Sequence, residues 1–261
     1  MNIRQIVDLS VPLKAGIPSD PPGALPKIDY FDHKQGAEQL IESFPGLSSN
    51  DLPGNEGWAV EKVNMTTHAG THIDAPYHYR SVTDDGKPML TIDEVPLDWF
   101  HGPGVKLDFR HFEDGHVISA KEIREELSRI NHKLIPGDIV LVNTSAGAKY
   151  GGKDFLESGC GMGREATLYL TEHGVRLVGT DAWSWDAPFN HTAKRYENKK
   201  DPSIIWEGHF VGSKIPYCQI EKLANLEQLP ATGFYVFAFP VKIDKASAGW
   251  ARPVAVLDPQ N

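Results

Sequence analysis

The chain has 261 residues, 40% of them apolar and 23% charged, with a net charge of −9. That is enough chain to bury a core, and the acidic balance argues against nucleic acid or an anionic membrane as a partner, because both repel a negative surface. No apolar run approaches the roughly 18–20 residues that span a bilayer, the start MNIRQIVDLSVPLKAG lacks the apolar core of a signal peptide, and two cysteines make no disulfide framework, so a cytoplasmic location is the expectation.

In chain order, residues 3–9 (IRQIVDL) read as a short strand. Residues 17–57 are rich in Pro, Gly, Ser and Asp around one helix-like piece at 34–44, and such an irregular insertion reads as a lid or an interface. WAVEKVNMTTH then alternates at Val63 and Met65 and runs into a histidine-rich segment. Residues 104–109 predict a strand, and SAKEIREELSRINHK predicts a helix, with Ser119 and Glu122 as a capping box and Ile123, Leu127 and Ile130 at helical spacing.

DIVLVNT at 138–144 has the length and apolar content of a buried strand. A helix over 163–173 stops at Gly174 and feeds the strand-like VRLVGTDAW. Residues 234–243 and 253–258 are β-rich by composition. The pattern is a mixed α/β chain with two or three helices and no dividing linker, hence one domain over 1–261.

The segment HAGTHIDAPYH carries the chemistry. Gly70, Thr71 and the β-branched Ile73 argue against a helix there, and Pro76 against its continuation. On an extended backbone His68, His72, Asp74 and His78 have even spacing and share one face. Three imidazoles and a carboxylate are costly to bury unless something charged binds among them, and a divalent cation meets that need. Neutral imidazole and carboxylate suit zinc, manganese or iron(II), and a catalytic site of this kind activates water. His78 is the natural proton acceptor beside the ligands.

This segment resembles the HxGTHxDxPxH signature of the cyclase-like metal hydrolases, a family that includes bacterial kynurenine formamidase and isatin hydrolase. His68, Gly70, Thr71, His72, Asp74, Pro76 and His78 match its fixed positions, and the similarity runs from IVDLSVPL to GWARPVAV. The resemblance implies a single mixed α/β domain of the swivelling β/β/α kind, usually a homodimer. It implies His68, His72 and Asp74 as metal ligands and His78 as catalytic histidine. It further implies His209 as an active-site histidine and Glu221 as a second-site or alternative ligand. Lys222 departs from the asparagine usual after that glutamate, and Gln219 offers another oxygen, so one or two ions of Mn2+ or Zn2+ are implied.

GTDAWSWDAPF at 179–189 is similar to a segment of the longer members. Trp183 and Trp185, two apart, predict an aromatic wall for a flat substrate, and Asp181 either orients a ligand histidine or caps a strand. GCGMG at 159–163 lacks the context of a nucleotide loop and reads as a turn, while Cys160 and Cys218 read as structural. No GxSxG elbow is present.

The expected activity is hydrolysis of a C–N bond in a small cyclic or aromatic amide of isatin type. An aryl formamide or a lactone is the alternative, and a cupin-like metal oxygenase or metal-binding module is the rival from another class. A cupin, however, offers HxH followed by glutamate rather than HxxxH-x-D.

Overall fold

The structure, a computed structural model, describes residues 5–257. Its strands and helices follow in chain order as β1 (Ile6–Asp8), β2 (Lys27–Phe31), α1 (His33–Ser43), β3 (Val60–Asn64), β4 (His72–Asp74), α2 (Pro76–Tyr79), β5 (His101–Asp108), β6 (Val117–Ile118) and α3 (Ala120–Arg129). They continue as β7 (Ile139–Asn143), β8 (Gly161–Met162), α4 (Arg164–Glu172), β9 (Leu177–Thr180), α5 (Phe189–Lys199), β10 (Cys218–Glu221), β11 (Phe234–Phe237), β12 (Ala248–Trp250) and β13 (Val254–Leu257). The α/β class expected from the sequence is the class observed, and no helix among the described residues is long and apolar enough to cross a membrane.

Nine strands form one mixed sheet in the order β1-β13-β11-β5-β7-β9-β10-β4-β12. Its centre, β5-β7-β9-β10, is parallel, and the flanking strands are antiparallel. Parallel strands covered on both faces read as continuous apolar runs, which is why IVLVN was legible as a buried strand. Ile139 and Leu141 face one core cluster, and Val140 and Val142 face the other.

The first cluster contains Val7 and Leu9 from one end of the sheet and Ile73 and Ala75 from near the other, so the sheet curls around it. A bridge between Ser10 and Leu223 closes the curl. The second cluster lies under α3 and α4, which bury Ile123, Leu127, Ala166 and Leu170 against β5, β7 and β9. The capping box of Ser119 and Glu122 starts α3 as expected.

Four readings change. The Val63 alternation belongs to β3, which pairs with β2 in a separate hairpin and has all five residues exposed. GCGMG is not a flexible turn. Gly161 and Met162 are a buried strand paired with β6, and a Cβ on Gly161 would lie 1.9 Å from the backbone nitrogen of Ala187. Pro76 does not merely end a segment, since it opens the one-turn α2 at the position where its missing N–H costs nothing. Finally, α5 is a helix the sequence reading did not include, because FNHTAKRYENK is mostly polar and only Thr192 of it is buried.

Candidate metal centre and its cavity

Strand alternation builds the centre. In β4, Ile73 enters the first core cluster, which leaves His72 and Asp74 on the opposite face. The neighbouring β10 pairs Glu221 with His72 and Gln219 with Asp74, while Ile220 joins Ile73 in the core. Two short strands thus present His72, Asp74, Gln219 and Glu221 side by side, all buried.

His68 reaches the same place from the turn before β4, where Gly70 takes a left-handed φ of +64°. His78 reaches it from α2, so even spacing on an extended backbone is the reason only for His72 and Asp74. The four residues of the motif nevertheless converge. His68 Nδ1 lies 2.8 Å from Asp74 Oδ1, His72 Nε2 3.2 Å from the same oxygen, and His78 Nε2 4.0 Å from Asp74 Oδ2. Glu221 joins them, with Oε2 3.6 Å from His72 Nε2.

His72 Nδ1 donates to the Gly70 carbonyl at 2.9 Å, which turns its bare Nε2 toward the carboxylates. That nitrogen and both oxygens of Asp74 are buried without a hydrogen-bond partner. Lone pairs facing one another in a dry interior are unfavourable unless a cation sits between them. Their separations also match the roughly 3.3 Å between tetrahedral donors with bonds of about 2.0–2.1 Å. Among the described residues two triads could hold an ion, His68/Asp74/His78 and His72/Asp74/Glu221, with Asp74 in both. The donor set therefore fits a divalent cation of borderline character.

Local electrostatics follow from the same arrangement. Burial raises the Asp74 carboxyl, but His78, His72 and His68 outweigh it and hold the group well below the usual range. Burial and the Asp74 charge raise Glu221. Burial pushes His78 down to about 4 despite the attraction of Asp74, so the imidazole is neutral near pH 7. His209 is opposed by burial but raised overall by Asp186, Glu221 and Asp74.

His209, on the turn His209–Ser213, is buried with Nε2 3.8 Å from Glu221 Oε1. Its Nδ1 donates to Asp186 Oδ2 at 2.5 Å, and Asp186 also accepts the backbone N–H groups of Gly208 and His209. Asp186 was not singled out from the sequence. It stands in the DAWSWDAPF segment, but nothing in local spacing ties it to position 209. Asp181, weighed for this role, instead accepts the Thr144 backbone N–H and hydroxyl and caps the ends of β7 and β9.

A cavity of about 230 Å³ opens over His68, His78, His209 and Glu221. The two candidate wall tryptophans part here. Trp183 lines the cavity, in edge contact with Phe189. Trp185 is buried in the second core cluster, where its indole donates to Thr167 Oγ1 at 2.9 Å, and it does not face the cavity.

Trp206 takes the other wall, a residue the sequence did not mark. Its ring stacks on His209 at 4.5 Å and 9°, it meets His78 edge-on at 5.2 Å, and it adopts a left-handed φ of +53°. Such a conformation in an aromatic residue costs of order 1–3 kcal/mol and concentrates at functional sites. Within 17–57, Asp20, Pro21 and Ala24 line the cavity, while β2 and α1 do not. Cys160 and Cys218 are buried free thiols, and burial pushes Cys160 up to about 12.

Comparison with known proteins gives a consistent setting. The family described as "Putative cyclase" matches residues 7–187. A kynurenine formamidase of Bacillus mycoides (strain KBAB4) is 32% identical over 167 residues, spanning 60% of this chain and 70% of the relative. Isatin hydrolase A of Labrenzia aggregata, in a structure with benzyl benzoate, superposes with a TM-score of 0.74 at 25% identity, covering 97% of this chain and 94% of that one. Isatin hydrolase A of Ralstonia solanacearum shares the fold, with a TM-score of 0.76 at 22% identity over 98% and 92%. With more than half its length matched, and with the matched segment containing the clustered His68, His72, Asp74 and His78, the chain belongs to the putative cyclase family.

Proposed function

We propose that this chain hydrolyses the C–N bond of a small cyclic or aromatic amide, isatin being the pattern for the substrate. The carrying observation is the buried meeting of His72 Nε2, both oxygens of Asp74 and the Glu221 carboxylate, with no partner for the first three. His68, His72 and Asp74 would hold the ion, Mn2+ or Zn2+, with Glu221 as a further ligand or part of a second site. A divalent cation supplies an activated water and polarises a carbonyl oxygen.

The chain's own residues do the remaining work. His78, neutral beside Asp74 and facing the cavity, accepts the proton that water gives up. His209, whose charged form is opposed by burial but favoured overall by Asp186, Glu221 and Asp74, sits opposite as the imidazolium, with Nδ1–H held by Asp186 and the Nε2 proton available to the leaving nitrogen. Trp183, Phe189 and Trp206 bound an apolar slot suited to a flat ring. Opening of the amide consumes one water and yields a carboxylate, an amine and one proton released to solvent, so no redox partner is needed.

An aryl formamide is the second reading, favoured by the similarity to kynurenine formamidase. A homodimer or higher homo-oligomer working in the cytoplasm completes the proposal.

The test is metal analysis of purified protein with turnover of isatin and N-formylkynurenine in added Mn2+ or Zn2+. Near-stoichiometric metal with isatin ring opening supports the first reading. Cleavage of N-formylkynurenine alone moves the assignment to the second. Absence of bound metal after loading with either ion would remove the basis of both.

A further inference from the structure

Lys222 follows the ligand Glu221 directly, and its side chain is 1% exposed. A lysine that deep needs partners for its charge. Its Nζ donates to the carboxylate of Asp20, itself only 5% exposed, and to the backbone carbonyl of His68 at 2.7 Å. Asp20 also accepts the indole N–H of Trp183 at 3.3 Å and the Ser19 hydroxyl at 3.0 Å. One ion pair thus touches a candidate metal ligand on one side and two walls of the cavity on the other.

The lysine is placed with some strain. Its φ is +57°, in the left-handed region that disfavours a side chain. The backbone is fixed there from both directions, as Lys222 N–H donates to Ala182 and its carbonyl accepts the Thr71 hydroxyl at 2.7 Å. Thr71 lies inside the metal motif and in turn accepts the Val11 N–H at 2.9 Å. A strained backbone conformation that aims a buried cation at a ligand's carbonyl and at the cavity wall is poorly explained by packing alone.

We infer that Asp20 and Lys222 are positioning residues, their ion pair setting the His68 limb of the metal centre and holding 19–24, with Trp183, as the substrate-facing wall. The inference rests on the proposed hydrolase reading for its kinetic part and on the donor geometry alone for its metal part. It assigns the lid function of the 17–57 insertion to the few residues at Asp20–Ala24.

The test compares wild type, Lys222→Met and the double variant D20N/K222M. The double variant removes both charges together, so it avoids leaving a buried carboxylate unpaired and serves as the folded reference. Mn2+ affinity is measured by competition with a chromophoric chelator, without substrate. KM and kcat are then measured on whichever of isatin or N-formylkynurenine the wild type turns over.

The expected result for the folded double variant is Mn2+ binding weaker by about 10–100-fold, the range for losing a group that orients a ligand. KM should also rise by more than kcat falls. A lowered Tm with Mn2+ affinity within about twofold of wild type overturns the inference, because packing alone would produce that pattern. A wild type that binds Mn2+ but turns over neither compound leaves the metal comparison readable, so failure of the hydrolase reading is told apart from failure of this one.

Discussion

His209 donates its Nδ1 proton to Asp186 across 2.5 Å, and the same carboxylate accepts the backbone N–H groups of residues 208 and 209. The ring is therefore fixed in position and tautomer before any substrate arrives, with Nε2 toward Glu221. Replacing Asp186 by Asn retains the shape but offers an amide where an anion stood, and frees the ring to take the other tautomer. Asp186→Asn should lower kcat by about 10–100-fold with Tm changed by only a few degrees. Steady-state kinetics at saturating metal with a parallel thermal melt check this, and wild-type kcat would detach the pair from the chemistry.

The ligand roles predict separable losses. His72→Ala and Asp74→Ala should abolish both bound metal and turnover, since each removes a donor from a buried set. His78→Ala should keep the metal and lose most activity. Elemental analysis beside the assay distinguishes the cases, and joint loss in His78→Ala would make that residue a ligand.

Metal removal should also be visible in stability. An ion that binds only the folded chain and is present at a hundred times its Kd stabilises by about 2.7 kcal/mol. For a chain of 261 residues that corresponds to a Tm drop of about 5–10 °C on adding a chelator. The His72→Ala protein, lacking the site, should not respond to chelator at all.

Burial pushes the Asp181 carboxyl up to about 7 from 3.8, despite the hydrogen bonds from Thr144. The folded state therefore holds a proton that the unfolded state has released. Stability from this group is complete below about pH 4, declines as pH rises toward 7, and is flat above. The full effect is at most of the order of 4 kcal/mol. Urea unfolding at a series of pH values should show that decline in wild type and not in Asp181→Asn. An unchanged slope in the variant would assign the pH dependence elsewhere.

The two tryptophans of DAWSWDAPF should fail in different ways. Trp185→Ala empties a core position and should cost about 3–5 kcal/mol of stability. Trp183→Ala should cost little stability and raise KM for an aromatic amide several-fold, through lost ring contact. Chemical denaturation paired with KM separates them, and equal effects on both readouts would erase the distinction.

The chemistry of the centre was legible where it is local. Four of its residues lie between His68 and His78, so motif and spacing found them together, and Ser119–Glu122 marked α3 through a contact of three residues. What stayed hidden depends on the chain returning to the site. Asp186, Trp206 and Lys222 carry no local signature, and their roles arise when the loop after β9, the segment between α5 and β10, and the end of β10 come back to the site. The separate fates of Trp183 and Trp185 were equally unreadable, because the segment is a loop and spacing by two decides a face only in a strand. Even spacing placed His78 with its neighbours, but by the wrong geometry, since α2 carries it there.

The register of β4 on β10, His72 opposite Glu221, also sets a schedule for the growing polypeptide. A ribosome releases the HAGTHIDAPYH segment first, and the strand that seats Glu221 beside it emerges only after α3, α4 and α5 have been made. The edge strand β12, which pairs with β4 on its other side, comes later still. Early in synthesis the histidines can meet a metal only as a loose local chelate, and the complete donor set waits for a distant pairing of the kind that slows folding. A donor set complete enough to hold an ion tightly would thus wait until β10 has been made and paired with β4.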